Sequence, residues 1–171
     1  AHYPAMKRWM AHMEEATMKD YIMTKDQYGD WCMPPESQEL IHSKDPARKT
    51  DGAILSTTVY YDLLNKMIGF ARICGQDADI SGYESLAAKI KAAYNAKFFN
   101  KETAEYGNNT VTANILSLRL GLVPEGYEGK VFSNIVKKTE EDFNGHVSTG
   151  VLGIQHLMRG LTEYGRVDMA Y

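Results

Sequence analysis

The segment Thr110-Val111-Thr112-Ala113-Asn114-Ile115-Leu116-Ser117-Leu118-Arg119-Leu120-Gly121 decides the fold. It opens on a threonine, whose hydroxyl can accept a hydrogen bond from a free amide of a first helical turn. It closes on a glycine, the residue that best takes the left-handed backbone on which helices end. The spacing predicts a helix from Thr110 to Leu120, stopped by Gly121. Gly75 stands 46 residues before Gly121 and Gly165 stands 44 residues after it, each closing another helical pattern. Each interval holds two helices, so the unit is a helical hairpin that recurs about every 45 residues.

Outward from this segment the chain reads as helix after helix. Met6, Trp9, Met10 and Met13 recur at helical spacing in a stretch from Tyr3 to about Ile22. A loop from Met23 to about Asp51 follows, with Pro34-Pro35 and Pro46, and loops of that length inside compact domains are usually functional. A helix from about Gly52 to Cys74 carries Leu55, Val59, Leu63, Met67, Phe70 and Ile73. Ser81 with Glu84 reads as a capping box for the next helix, whose stripe is Tyr83, Leu86, Ile90, Ala93, Tyr94 and Phe98. After Pro124 we expect helices from about Tyr127 to Phe143 and from about Ser148 to Tyr164, and a further one starting between Arg166 and Tyr171. No alternating run supports a strand of any length, so the fold class is all-α.

One hairpin cannot bury both faces of its helices, so hairpins must stack. They then either extend as an open solenoid of the HEAT kind or close into a ring of inner and outer helices. A solenoid has short, plain turns, whereas a ring enzyme gathers long aromatic loops at one mouth. The loop Tyr28-Gly29-Asp30-Trp31 favours the ring.

Composition narrows the function classes. The 171 residues suit one domain, and 44% apolar with 24% charged residues are ordinary globular values. A net charge of −3 with both signs interspersed gives no basic patch for nucleic acid. No apolar run reaches the ~20 residues of a membrane span. Cys32 and Cys74 are too few for a disulfide framework and lack metal-type spacing. His2, His12 and His42 show no geometry with other ligands, so neither a metal nor a cofactor is predicted. The chain begins at Ala1 and stops at Tyr171 inside a helical pattern, which we read as part of a larger protein. Cut edges of such a part should expose apolar helix faces, and from them we expect self-association or marginal stability.

Asp30 and Trp31 are the first candidates for chemistry. A carboxylate that accepts hydroxyl hydrogen bonds beside a flat indole suits a sugar's polar edge and C–H face. With Tyr28 and Tyr21 nearby, the loop carries more aromatic surface than a turn needs. The competing reading makes Asp30 a helix cap or turn residue and Trp31 a core residue. His146, ahead of Val147-Ser148-Thr149-Gly150, either reaches a substrate hydroxyl or belongs with Ser148 to a helix cap. His156 reads as a satisfied interior or flank residue, and Asn109 or Thr110 as a helix cap. Glu14-Glu15 and Glu140-Glu141 diverge by ~100° on a helix and read as surface charges. No acid/base pair, catalytic triad or phosphate loop emerges, so no catalytic residue is assigned.

Gly29-Asp30-Trp31, then Leu120-Gly121-Leu122-Val123-Pro124, then His146-Val147-Ser148-Thr149-Gly150-Val151-Leu152-Gly153, then Leu161-Thr162-Glu163-Tyr164-Gly165-Arg166-Val167-Asp168-Met169-Ala170-Tyr171 follow in order. In that order and spacing they resemble the catalytic domain of bacterial α-L-rhamnosidases, glycoside hydrolase family 78, across essentially the whole chain. The resemblance implies an (α/α)6 toroid, of which this chain is about half. It also implies an inverting hydrolase of terminal α-L-rhamnose, in which one carboxylate protonates the leaving oxygen and another activates water. Both of those glutamates would lie outside the segment given, leaving the segment alone without hydrolytic activity. Asp30 and Trp31 would then line the rhamnose subsite, Trp31 near the apolar 6-methyl side, with His146 at the mouth. Ile154-Gln155-His156 departs from the threonine and tyrosine often found in family members after Gly153. Two other readings stay open beside it: a non-catalytic helical-repeat scaffold that binds protein, and another toroid glycosidase or polysaccharide lyase.

Overall fold

The computed structural model describes residues 2–26, 28–34, 45 and 48–171, so Pro35, His42 and Pro46 of the long loop lie outside the described residues. Helices come in pairs. α1 (Tyr3–Thr17) and α2 (Gly52–Ile73) flank the long loop, and α3 (Ile80–Phe98) pairs in sequence with α4 (Val111–Arg119). α5 (Glu128–Lys137) and α6 (Val151–Glu163) make the third pair, followed by the short α7 (Val167–Ala170). Three hairpins are thus present, as the glycine spacing predicts.

The glycines that mark the repeat share one geometry. Gly75, Gly121 and Gly165 have φ of +65°, +76° and +84°, where a β-carbon is disfavoured. Each glycine amide donates three residues back, to Arg72, Leu118 and Thr162. The following amides of Gln76, Leu122 and Arg166 donate five residues back, to the carbonyls of Ala71, Ser117 and Leu161 at 2.8, 2.9 and 2.7 Å. This paired closure satisfies carbonyls that a helix end leaves free. It turns the chain the same way after α2, α4 and α6.

α4 is the centre of the core. Every side chain from Val111 to Leu118 is buried, and α4 packs on α2, α5 and α6. Tyr94 of α3 reaches it, sharing a 2.7 Å hydrogen bond with Ser117. The Tyr94 ring lies 5.2 Å from Phe98 and 5.4 Å from Tyr106, so the apolar bodies pack while the phenol oxygen stays paired. Polar side chains inside α4 are answered locally: Asn114 accepts the Tyr106 amide and donates to Asn109 Oδ1 and the Thr110 carbonyl. Thr110 caps the helix, accepting from the Ala113 amide at 3.1 Å. α6 approaches α4 across Gly153 and Gly160, where an added β-carbon would sit 2.6 Å from Thr112 Oγ1 and 2.5 Å from Ile115 Cδ1. A glycine inside a helix costs ~1 kcal/mol relative to alanine, so close packing is what these two positions gain.

Several boundaries differ from the sequence expectation. α1 stops at Thr17 rather than near Ile22, because Asp20 and Tyr21 take φ of 50° and 63° and fold the chain back. The resulting ribbon pairs β1 (Met18–Lys19) with β2 (Ile22–Met23), and a second ribbon pairs β3 (Phe99–Asn100) with β4 (Glu105–Tyr106). Two-residue strands are too short to show alternation. Ser81 is not a cap: α3 starts at Ile80 after a 3-10 turn at Asp77–Asp79, with no side-chain cap bond. Asp79 instead receives Tyr3 Oη at 2.9 Å and Lys7 Nζ at 2.5 Å, which ties α1 to the start of α3. α5 loosens after Lys137 into a π turn at Lys138–Asp142, and α6 begins at Val151 rather than Ser148. Among the described residues, no helix is long and apolar enough to cross a membrane.

Candidate functional site

The starts of α2, α4 and α6 meet around the Asp30 loop. Thr50, just ahead of the Asp51 cap of α2, shares a 2.7 Å hydroxyl hydrogen bond with Thr110, the cap of α4. Thr112, in the first turn of α4, donates its hydroxyl to Asp30 Oδ2. Asp30 Oδ2 also accepts the Gly150 amide at 2.8 Å, and Oδ1 accepts the amides of Leu152 at 3.0 Å and Gly153 at 3.2 Å. Asp30 therefore caps α6 from 120 residues away, a contact with no local signature in the sequence. The neighbouring Trp31 carbonyl accepts the Val151 amide at 3.0 Å. Gly150 is required by this docking, since a β-carbon there would collide with the Trp31 carbonyl and the Asp30 carboxylate.

This geometry turns the Asp30 carboxylate inward, onto protein donors, where the sequence reading expects a sugar hydroxyl. Asp30 is 6% exposed, and four protein donors occupy its two oxygens. Burying a charge costs several kcal/mol unless it is paired or hydrogen-bonded. Here three backbone donors, a hydroxyl and the positive end of the α6 dipole offset that cost. Giving up those donors to a ligand would restore the cost. The helix-cap alternative is the one the structure favours.

Trp31 behaves differently. Its side chain is 38% exposed and lines a cavity of about 540 Å³ between α1, α2, the loop and the start of α6. Tyr28 and Trp9, 67% and 50% exposed, stand in the same cavity, with Leu55, Val59 and Leu152 in its walls. Asp26 is the one carboxylate among the described residues lining it, and its Oδ2 accepts the Gly29 amide at 2.8 Å. The sequence reading missed Trp9, because a tryptophan on the apolar stripe of α1 has the same spacing whether it is covered or open. Tyr21 does not join this cluster. It sits on the β1–β2 turn, with Lys89 Nζ 5.6 Å from its ring centre, and lines a separate cavity.

His146 is exposed on the segment between the π turn and α6, its amide bonded to the Phe143 carbonyl at 2.9 Å. It is not among the residues lining the Trp31 cavity. It does not cap α6, whose cap position is Gly150 without a side-chain bond of its own. Ser148 does not cap it either: the buried hydroxyls of Ser148 and Thr149 have no hydrogen-bond partner among the described residues. His156 is also unlike its expectation, since its Nδ1 is buried without a partner among the described residues. Burial, and then the Arg119 cation, push its basicity below the ordinary histidine range. Cys32 and Cys74 are free and exposed. Glu140 pairs with Arg166 at 2.7 Å and Glu141 faces Lys137 at 3.9 Å, as surface charges do. Among the described residues no group of three histidine, cysteine or acidic side chains is placed to hold a metal ion.

Three helix pairs, closed by matching glycine turns and tied together at the starts of α2, α4 and α6, define a helical-hairpin domain. Over residues 1–171 the chain belongs to the family described as the bacterial alpha-L-rhamnosidase 6 hairpin glycosidase domain. An alpha-L-rhamnosidase of Formosa agariphila is 29% identical over 99% of this chain, which spans 18% of that relative's length. The structure of the alpha-L-rhamnosidase from Dictyoglumus thermophilum superposes with a TM-score of 0.87 at 30% identity, covering 99% of this chain and 18% of that one. The Streptomyces avermitilis alpha-L-rhamnosidase complexed with L-rhamnose shares the fold, with a TM-score of 0.84 at 23% identity over 99% of this chain and 15% of that one. The chain thus spans about a fifth of the relatives it matches, and the open HEAT-like arrangement gives way to the six-hairpin ring.

Proposed function

We propose that this chain supplies half the ring and part of the sugar subsite of an inverting α-L-rhamnosidase. The full-length enzyme would remove terminal α-L-rhamnose from glycosides or polysaccharides. The observation that carries this reading is the half-exposed indole of Trp31 in an apolar cavity at the gathered helix starts, in a chain of this family. An indole face and aliphatic walls suit the C–H surface and methyl group of a 6-deoxy sugar. His146 is carried as a residue at the mouth, close in the chain to the Gly150 amide that Asp30 holds. Asp30 serves this subsite from behind, without touching the sugar.

An inverting mechanism needs an acid and a base on opposite faces of the sugar, ~6.5–9.5 Å apart. The Trp31 cavity has only Asp26 among its described carboxylates, so both glutamates are assigned to sequence beyond this segment. The 171-residue chain alone should therefore leave an aryl α-L-rhamnoside intact. The deciding experiment is Trp31→Ala in the full-length protein, assayed on that substrate. Loss of one aromatic stacking surface should raise KM about tenfold, roughly 1.4 kcal/mol, with the fold retained. Unchanged kinetics would remove Trp31 from the site.

A further inference from the structure

We propose that Asp30 is a positioning residue that sets the Trp31 ring at the cavity wall by locking the loop onto the start of α6. This rests on the sugar-subsite reading of Trp31. One carboxylate ties the loop that carries Trp31 to the first turn of α6: it accepts the Leu152 amide, and Trp31 and Leu152 line the same cavity. The backbone of Trp31 is fixed by the next donor in the same turn, Val151. Gly29 and Cys32, which bracket the pair, have φ of 64° and 58°, and left-handed backbone is unfavourable for a cysteine unless its surroundings enforce it. On the other side of the pair, the Gly29 amide donates to Asp26 Oδ2.

Charge, and not shape alone, makes the lock. All four donors facing Asp30 are N–H or O–H groups, two on each oxygen. An asparagine has the same outline, yet its NH₂ must face two of those donors, which it cannot accept. Asp30→Asn therefore frees one side of the clamp without opening a void. Thr112→Val removes a single donor and leaves the three amides in place, so it is the milder second variant.

The experiment is a double-mutant cycle in the full-length protein, with free L-rhamnose as the probe in titration calorimetry and amide hydrogen exchange read on the same samples. Trp31→Ala and Asp30→Asn should each weaken L-rhamnose about tenfold, with Thr112→Val between them and the wild type. The double variant Asp30→Asn/Trp31→Ala should bind no worse than Trp31→Ala alone, because the carboxylate acts only through the ring. Native affinity in Asp30→Asn, or losses that multiply in the double variant, would overturn the proposal. If Asp30→Asn does not fold, Thr112→Val takes its place in the cycle under the same criteria. If Trp31→Ala binds L-rhamnose as the wild type does, the sugar-subsite reading is what fails. Hydrogen exchange then decides the positioning claim: faster exchange of the Trp31–Met33 and Val151–Gly153 amides in Asp30→Asn supports it, and unchanged exchange overturns it.

Discussion

The hydroxyls of Thr50 and Thr110 lie 2.7 Å apart and share one buried hydrogen bond, which joins the entry to α2 with the cap of α4. Thr110 also accepts the Ala113 amide, so one hydroxyl serves two helices. Thr110→Val removes both bonds and should cost about 2 kcal/mol, whereas Thr50→Val removes one and should cost about 1 kcal/mol. Urea titration measures both. A loss below about 0.5 kcal/mol for Thr110→Val would show that the cap is not needed.

Two glycine substitutions separate packing from propensity. In Gly150→Ala the methyl meets the Trp31 carbonyl and the Asp30 carboxylate, so the α6 cap must shift. We expect a loss of about 2–3 kcal/mol in thermal or urea unfolding. Gly129 lies in α5 with nothing within 4 Å of an added β-carbon. Gly129→Ala should be neutral or stabilising by up to about 1 kcal/mol. Comparable losses at both positions would refute the close approach at Gly150.

His156 gives the stability a pH dependence of known sign. Its folded form resists protonation because of burial and the nearby Arg119 cation, while the unfolded chain protonates near ~6.5. Acidification through that value charges the unfolded state first, so stability is full above it and falls as pH drops, until the lower folded value is reached. His156→Gln should flatten the fall that begins below about pH 7. Parallel slopes in the two proteins would clear His156 of the effect.

A second apolar groove lies between α1 and α2. Trp9 and Phe70 are exposed in it, and Ala5, Met6, Leu63 and Met67 also line it. We expect the 171-residue chain to associate with itself in a concentration-dependent way. In sedimentation velocity, Trp9→Ser/Phe70→Ser should shift the distribution toward monomer. A wild-type chain that stays monomeric at high concentration would refute the expectation.

Legibility followed the range of the interaction. The glycine stops at 75, 121 and 165 were readable because a helix end is made by residues within five positions of one another. Thr110 was readable as a cap for the same reason, its acceptor role spanning three residues. Ser81 misled, because the capping-box pattern competes with a 3-10 turn and with the draw of Tyr3 and Lys7 on Asp79 from α1. The end of α1 was missed because apolar spacing continues through Ile22, while the chain turns back at Asp20 and Tyr21.

Sequence alone determined that the chain is built of helical hairpins about 45 residues long, since propensity, apolar period and glycine stops act over one or two turns. It also brought out Asp30 and Trp31 as a pair of note. Only the tertiary structure divided their work, turning the carboxylate inward onto α6 and leaving the indole half open to the cavity. The four donors that claim the carboxylate stand 82 to 123 residues away in the chain. Which partner a side chain finds at that separation is set by how the hairpins pack.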